Sequence, residues 1–511
     1  MNIAKQIKKL AGESVIYGIA GVFSRFISLF LFPVYSKILA PSEYGIMGMY
    51  NSTFFFIVVL VCFAMDSATF RFFFDSHEKH LNQKKTFSNW FFFQLGLSAL
   101  FILIILGFNK IGSRLIFNNL KDSTTIIKWL AVLIVLYGMP TILEAWYRLH
   151  RKPVAAVIFT LGTTLLNIGI TVICIVKLKL GIFGFIYGQI AGYLAGTIYG
   201  LIVLRKWIKV KYFDFSLLKN MLKYALPLLP AGLASSALYF ATNYYLKSRL
   251  DFTQLGLYSI GNTLASSLAL ITMAFAQAWS PFAFSIAKNE SATKTYSAVF
   301  TLYCITLSLA CLVFSIFLPD ILRLLANKNY YDADIVGSIL CFNIFFVSTA
   351  VIGMTGNGII KKTGPYAKAV ILGAVISLIF IVIFANYFGK EGAAFGMLLG
   401  QLIVPIYVFA SSQKYYPIPF AFPKVISIIS LSVFLAIGTK VFISSDYSFT
   451  SFLFKAGIII IFLIGCIYFF KNEFNIAVSN FRKLKKVINV SKEEIDIYND
   501  IVDSKSEINS N

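Results

Sequence analysis

Arg25 is the residue whose position most needs a chemical explanation. It stands at the centre of the apolar run "YGIAGVFSRFISLFLFPVY", about 16–18 Å from either end of the helix such a run would form at 1.5 Å per residue. An ionised side chain at that depth is costly and persists only in a wet cavity, beside an anion, or in a buried structural pair. A guanidinium in a cavity suits phosphate or pyrophosphate, which it grips through two parallel hydrogen bonds. The other polar candidates lie nearer the ends of apolar runs. Asp66 and Arg71 fall in "MDSATFRFFFD", where a local ion pair is the simpler reading, and Glu144 is the other carboxylate close to a run. Asn243 and Lys247 close a later run and are candidates for a substrate cavity, although Lys247, like Lys128 and Lys455, has a stem long enough to snorkel. Asn262, Gln277, Asn167, Gln189 and Gln401 could line a path for hydroxyl-rich cargo or equally join helices. Pro227 and Pro230 in "YALPLLPAGL" predict a kink, and with it a hinge.

What is missing narrows the chemistry. The chain has no GxxxxGK[ST] phosphate loop, so it does not energise transport by that route. Its three histidines fall in polar connections, and no carboxylate lies deep in an apolar run. Proton or sodium coupling would therefore rest on Asp66 or Glu144. The longest connection on the side opposite the termini offers only Asp332 and Asp334, which argues against a membrane glycosyltransferase. The six cysteines lie within apolar runs, without CxxC or Cys/His spacing, so no metal or cofactor is expected.

Long apolar helices must position these residues. Of 511 residues, 58% are hydrophobic and 13% charged, far from the roughly 45–50% and 25% of soluble domains. A crossing helix needs about 20 apolar residues. Runs of that kind recur near 14–36, 45–65, 87–108, 126–146, 154–176, 181–204, 223–246, 254–279, 296–318, 334–355, 366–388, 392–412, 424–444 and 451–471. The expected fold is an all-α polytopic membrane protein of fourteen spans. With both termini cytoplasmic, and span-edge residues counted on their nearer side, 30 Lys and Arg lie inside against 12 outside. The net charge of +23 thus describes orientation, not a nucleic-acid partner.

The chain also repeats itself. A shift of 211 residues lays "LAPSEYGIMGMYN" (Leu39 to Asn51) on "LDFTQLGLYSIGN" (Leu250 to Asn262) and Asp66 on Gln277. A shift of 212 lays Pro153 on Pro365 and "GFIYGQ" on "GMLLGQ". These matches predict two parallel six-helix repeats, the architecture of alternating access. The expected organisation is a cytoplasmic segment 1–13, six-helix lobes at 14–213 and 214–412, two further spans at 413–471, and a tail at 472–511. The first part of the tail is amphipathic and basic, suited to an anionic leaflet. Its acidic end has the composition of disorder.

The opening "SVIYGIAGVFSRFISLFLFPVYSKILAPSEYGIMGMYN", the "RFFFD" after span two and "KYALPLLPAGL" at span seven resemble bacterial oligosaccharide repeat-unit flippases. These are the O-antigen and capsule polysaccharide transporters of the multidrug/oligosaccharidyl-lipid/polysaccharide superfamily. The resemblance extends along essentially the whole chain. It implies translocation of undecaprenyl-pyrophosphate-linked oligosaccharide across the bacterial inner membrane through a cationic cavity, with Arg25 as the matching cation. No second buried cation of that quality occurs in the C-terminal half. A polysaccharide polymerase is an implied neighbour, and a monomer is the expected state. The alternatives are a lipid II flippase, a cation-coupled drug exporter of the same superfamily, which should carry buried carboxylates facing its cavity, and a non-transporting scaffold.

Overall fold

The computed structural model describes residues 31–74, 79–360, 362, 364–442 and 449–470. Among them every regular element is helical. After a helical stretch at 31–38 come α1 (Pro41–Cys62), α2 (Met65–Phe72), α3 (Lys79–Gly107), α4 (Asn109–Phe117), α5 (Ser123–Leu149), α6 (Pro153–Val172) and α7 (Ile182–Leu204). Then follow α8 (Phe215–Ala225), α9 (Leu229–Arg249), α10 (Phe252–Ala265), α11 (Ala269–Ile286), α12 (Ala292–Leu325), α13 (Asp334–Gly353), α14 (Thr355–Ile359), α15 (Gly364–Gln401), α16 (Ile403–Tyr415), α17 (Phe422–Phe442) and α18 (Phe449–Phe469).

Eleven helices among the described residues are long and apolar enough to cross a membrane, or twelve if the bent pair α8–α9 forms one span. This differs from the fourteen expected spans in two places. The first expected span lies mostly outside the described residues. Spans eleven and twelve fall in one 52-residue run, Gly364–Tyr415, whose backbone breaks at Gly389. Gly389 (φ 57°, ψ −135°) and Gly181 (φ 53°, ψ −129°), at the head of α7, adopt the same conformation, one that a Cβ would strain.

Local sequence explains the helix starts. Pro41 begins α1, where its missing N–H costs nothing, and Glu43 accepts a hydrogen bond from the Ala40 N–H at 3.0 Å. In α10, the repeat-related helix, Asp251 accepts from the Gln254 N–H at 2.7 Å. The carboxylate cap has moved from the third helical position to the cap itself. α1 ends at Phe63 and Ala64, both left-handed (φ 50° and 51°), and α2 restarts the helix.

The expected kink at Pro227 is a full break: α8 and α9 meet at 60° around Leu226–Leu228. Pro230 lies in the first turn of α9, where proline fits. α8 is amphipathic, burying Leu218, Met221 and Ala225 at helical spacing against α2 and α3. Asp214 caps it through the Leu217 N–H at 3.1 Å and pairs with Lys85 at 2.9 Å. The Lys85 ammonium, then the Leu217 N–H, hold the Asp214 carboxyl below the usual carboxylate range.

Helices before residue 205 pack chiefly on one another, as do those after residue 229. The two groups meet where α1 packs against α9 and α10. α17 and α18 rest on α12, and two lysines fasten them. Lys455 does not snorkel: it is 4% exposed and binds Asp320 at 2.7 Å. Lys440 pairs with Asp334 at 2.9 Å.

Candidate functional site

The halves are joined by a seam that starts from two glycines related by the 211-residue shift. A Cβ on Gly45 would overlap the carbonyl oxygen of Phe252, and one on Gly256 would overlap that of Pro41. The absence of side chains is what lets α1 and α10 cross at backbone contact. Further bonds gather at this end. Tyr330 donates to the Leu39 carbonyl at 2.8 Å, Ser36 to that of Leu325 at 3.0 Å, and Tyr44 to Thr263 at 3.4 Å. Past it, α9 continues along α1 through the stacked rings of Phe56 and Phe240, while Ile271 and Gln277 of α11 are exposed.

Two residues expected at a cavity belong to this seam. Asn243 is 1% exposed and donates to the Gly48 carbonyl at 3.2 Å. Lys247 is 3% exposed and neither snorkels nor faces a cavity. It donates to the Leu115 carbonyl at 2.6 Å and to Asn118 Oδ1 at 3.0 Å, capping the C-terminal end of α4 from the other half. A cation is favoured there, because the last carbonyls of a helix are unpaired and partially negative. Its ammonium also sits 4.5 Å from the Tyr244 ring centroid.

The remaining candidates are dispersed. Asn262 is half-buried on α10, and Gln277 is exposed on α11. Asp66 and Arg71 are exposed on α2, just beyond the left-handed break. Glu144, half-buried on α5, accepts a hydrogen bond from Thr160 at 3.1 Å. Gln189 donates to Asn51 at 3.2 Å, a bond between helices α7 and α1. Arg25 lies outside the described residues. The break at Phe63–Ala64 has no sequence signal, since neither residue is Gly, Asn or Pro.

A cavity of about 460 Å³ opens inside the second half, walled by α9, α11, α13, α15 and α16. Its polar lining residues are Ser235, Thr272, Asn343, Ser348, Tyr366 and Gln401, set among methionines and branched aliphatics. Its walls carry no carboxylate, ammonium, guanidinium or imidazole. Of the polar lining residues only Gln401 stands out in the sequence, because the five helices that meet here are far apart in the chain.

Residues 10–287, more than half of the chain, match the family described as polysaccharide biosynthesis protein. The chain belongs to that family. No curated protein matches its sequence. Among solved structures, this polysaccharide biosynthesis protein is similar to the lipid II flippase MurJ in an inward closed conformation. The TM-score is 0.68 at 18% identity, over 90% of this chain and 99% of that one. It is also similar to an inward-facing multidrug resistance MATE family transporter of the MOP superfamily, with TM-score 0.63 and 16% identity over 78% and 94% of the chains. A MOP superfamily transporter from Pyrococcus furiosus gives 0.54 and 14%, over 80% and 95%. At these identities the likeness establishes the fold alone, a multi-pass helical membrane fold.

Proposed function

We propose that the protein translocates undecaprenyl-pyrophosphate-linked oligosaccharide units across the bacterial inner membrane by alternating access, for O-antigen or capsule assembly. Family membership carries this reading, because it ties a MOP-type fold to polysaccharide biosynthesis. The lobes 14–213 and 214–412 rock about the seam, both termini are cytoplasmic, and the protein works as a monomer. In that orientation the Gly45 end is external, so the seam closes the outside, and alternating access requires a polar path between the lobes that opens inward. A charged headgroup cannot cross hydrocarbon without such a polar enclosure, whereas its prenyl tail can remain in lipid.

Arg25 serves as the pyrophosphate ligand, and Glu144 and Asp66 are the carboxylates available for proton or sodium coupling. The exporter reading calls for acidic groups facing the cavity, and the walls of the second-half cavity have none. A lipid II substrate fits the same mechanism and is separated by the accumulating intermediate. Deletion should abolish surface polysaccharide and leave its lipid-linked units on the cytoplasmic face, and the wild-type gene should restore both. Arg25→Ala at normal protein levels should fail to restore them. Normal surface polymer in the deletion strain would overturn the proposal, and accumulation of lipid II would replace the substrate.

A further inference from the structure

The walls of the second-half cavity are uncharged in a chain that carries 45 Lys and Arg. A pyrophosphate would find no cation there and a cationic drug no carboxylate, so charge excludes both ends of the ionic spectrum. The volume, about 460 Å³, lies within the roughly 300–1,000 Å³ of small-molecule sites. Its lining alternates two kinds of surface. Met273, Val347 and Met397 are apolar, while Thr272, Asn343 and Gln401 bring a hydroxyl and two amides. Asn343 is the informative one: it lines the wall, and its side-chain oxygen, shut off from solvent, has no hydrogen-bond partner in the protein. An unpaired acceptor is expensive, and a turn of the amide about its last torsion would bring that oxygen to a donor in the cavity. A prenyl or acyl chain offers none. A neutral sugar ring offers a rim of hydroxyl donors and two apolar C–H faces, which matches both parts of the lining. Ser235 of α9 and Tyr366 of α15 are exposed and mark the mouth. The mouth lies just beyond the 60° break that carries α8 away onto the first half.

We infer that this cavity seats an uncharged sugar of the carried oligosaccharide, with the Asn343 amide selecting it, while the phosphate end is bound elsewhere. The inference rests on the flippase reading and sharpens it: the second half reads sugar and not charge. The site should therefore set which repeat units are accepted.

Two arms test it in a deletion strain. If the wild-type gene does not restore surface polymer, the flippase reading fails and this inference falls with it. If it does, Asn343→Leu, matched in volume, should lower polymer export about tenfold, the order expected when a buried hydrogen bond is lost. Export equal to wild type would overturn the sugar seat and leave the flippase reading intact. The second arm avoids any folding defect of that variant. A photo-crosslinking amino acid replacing Met397, in a protein that still complements, should yield a peptide adduct carrying sugar mass. An adduct of prenyl or acyl chain alone, or no substrate adduct, would overturn the inference.

Discussion

Gly45 and Gly256, 211 residues apart, each lie where the other's helix leaves no room for a Cβ: Gly45 against the Phe252 carbonyl, Gly256 against that of Pro41. The contact is reciprocal, as expected when two copies of one motif meet across an approximate two-fold axis. It predicts that Gly45→Val or Gly256→Val opens this end. Overpacking of a closed contact costs about 1–3 kcal/mol, enough to shift a two-state population roughly 5- to 150-fold. Spin labels at Lys37 and Lys328, both exposed near this end, should report a longer mean distance in either variant. An unchanged distance distribution in folded protein would show that the crossing does not hold the halves together.

Lys247 predicts a second effect at the same end. Lys247→Met keeps the apolar stem but removes the ammonium from Leu115 O and Asn118 Oδ1. Hydrogen bonds from charged donors contribute about 1.5–3 kcal/mol, so α4 should open more than tenfold more often. Deuterium uptake across Asn109–Phe117 should rise accordingly, with α12 as an internal control. Unchanged uptake would mean that the cap contributes no stability.

How much of this was legible beforehand follows from where each partner lies. The repeat window already set Gly45 on Gly256, so their equivalence was legible in the chain aligned with itself, but their contact was not, because equivalent positions of two repeats need not meet. The kink near Pro227 was legible because proline acts locally. Lys247 and Lys455 were not, because a lysine at the edge of an apolar run reads as snorkelling until its partner, more than 125 residues away, is known. In sequence Asn243 reads as a cavity residue, because an amide facing a cavity and one facing a carbonyl across a helix seam have the same sequence context. The break at Phe63–Ala64 had no local signal: helix propensity runs straight through it, and only tertiary packing sets two non-glycine residues left-handed.

The two pairs that hold α17 and α18 should differ in weight. Lys455 is nearly buried, whereas Lys440 and Asp334 are both partly exposed. Removing one partner of a fully buried pair costs about 3–5 kcal/mol, and a solvent-exposed pair contributes about 0–1 kcal/mol. Lys455→Met should therefore lower the unfolding temperature in detergent clearly more than Lys440→Met. Equal effects of the two single variants would contradict this ranking.

His150 makes stability depend on pH. Its ring stacks on Trp146 at 4.2 Å and meets Trp207 edge-on at 4.7 Å, and Nδ1 lies 2.8 Å from the Trp146 carbonyl oxygen. Burial, first, and the positive charges of Lys152 and His80 push its pKa below the ordinary histidine value, against the pull of the Trp146 carbonyl. A depressed histidine pKa means that the unfolded chain binds the proton more readily. Stability from this site is complete above about pH 6.5 and falls as pH drops toward the folded-state pKa. Thermal unfolding at about pH 7.5 and 5.5 should show the wild type losing more stability on acidification than His150→Phe, which keeps the ring stack without the proton. Identical pH dependence in the two proteins would show that His150 does not titrate against folding.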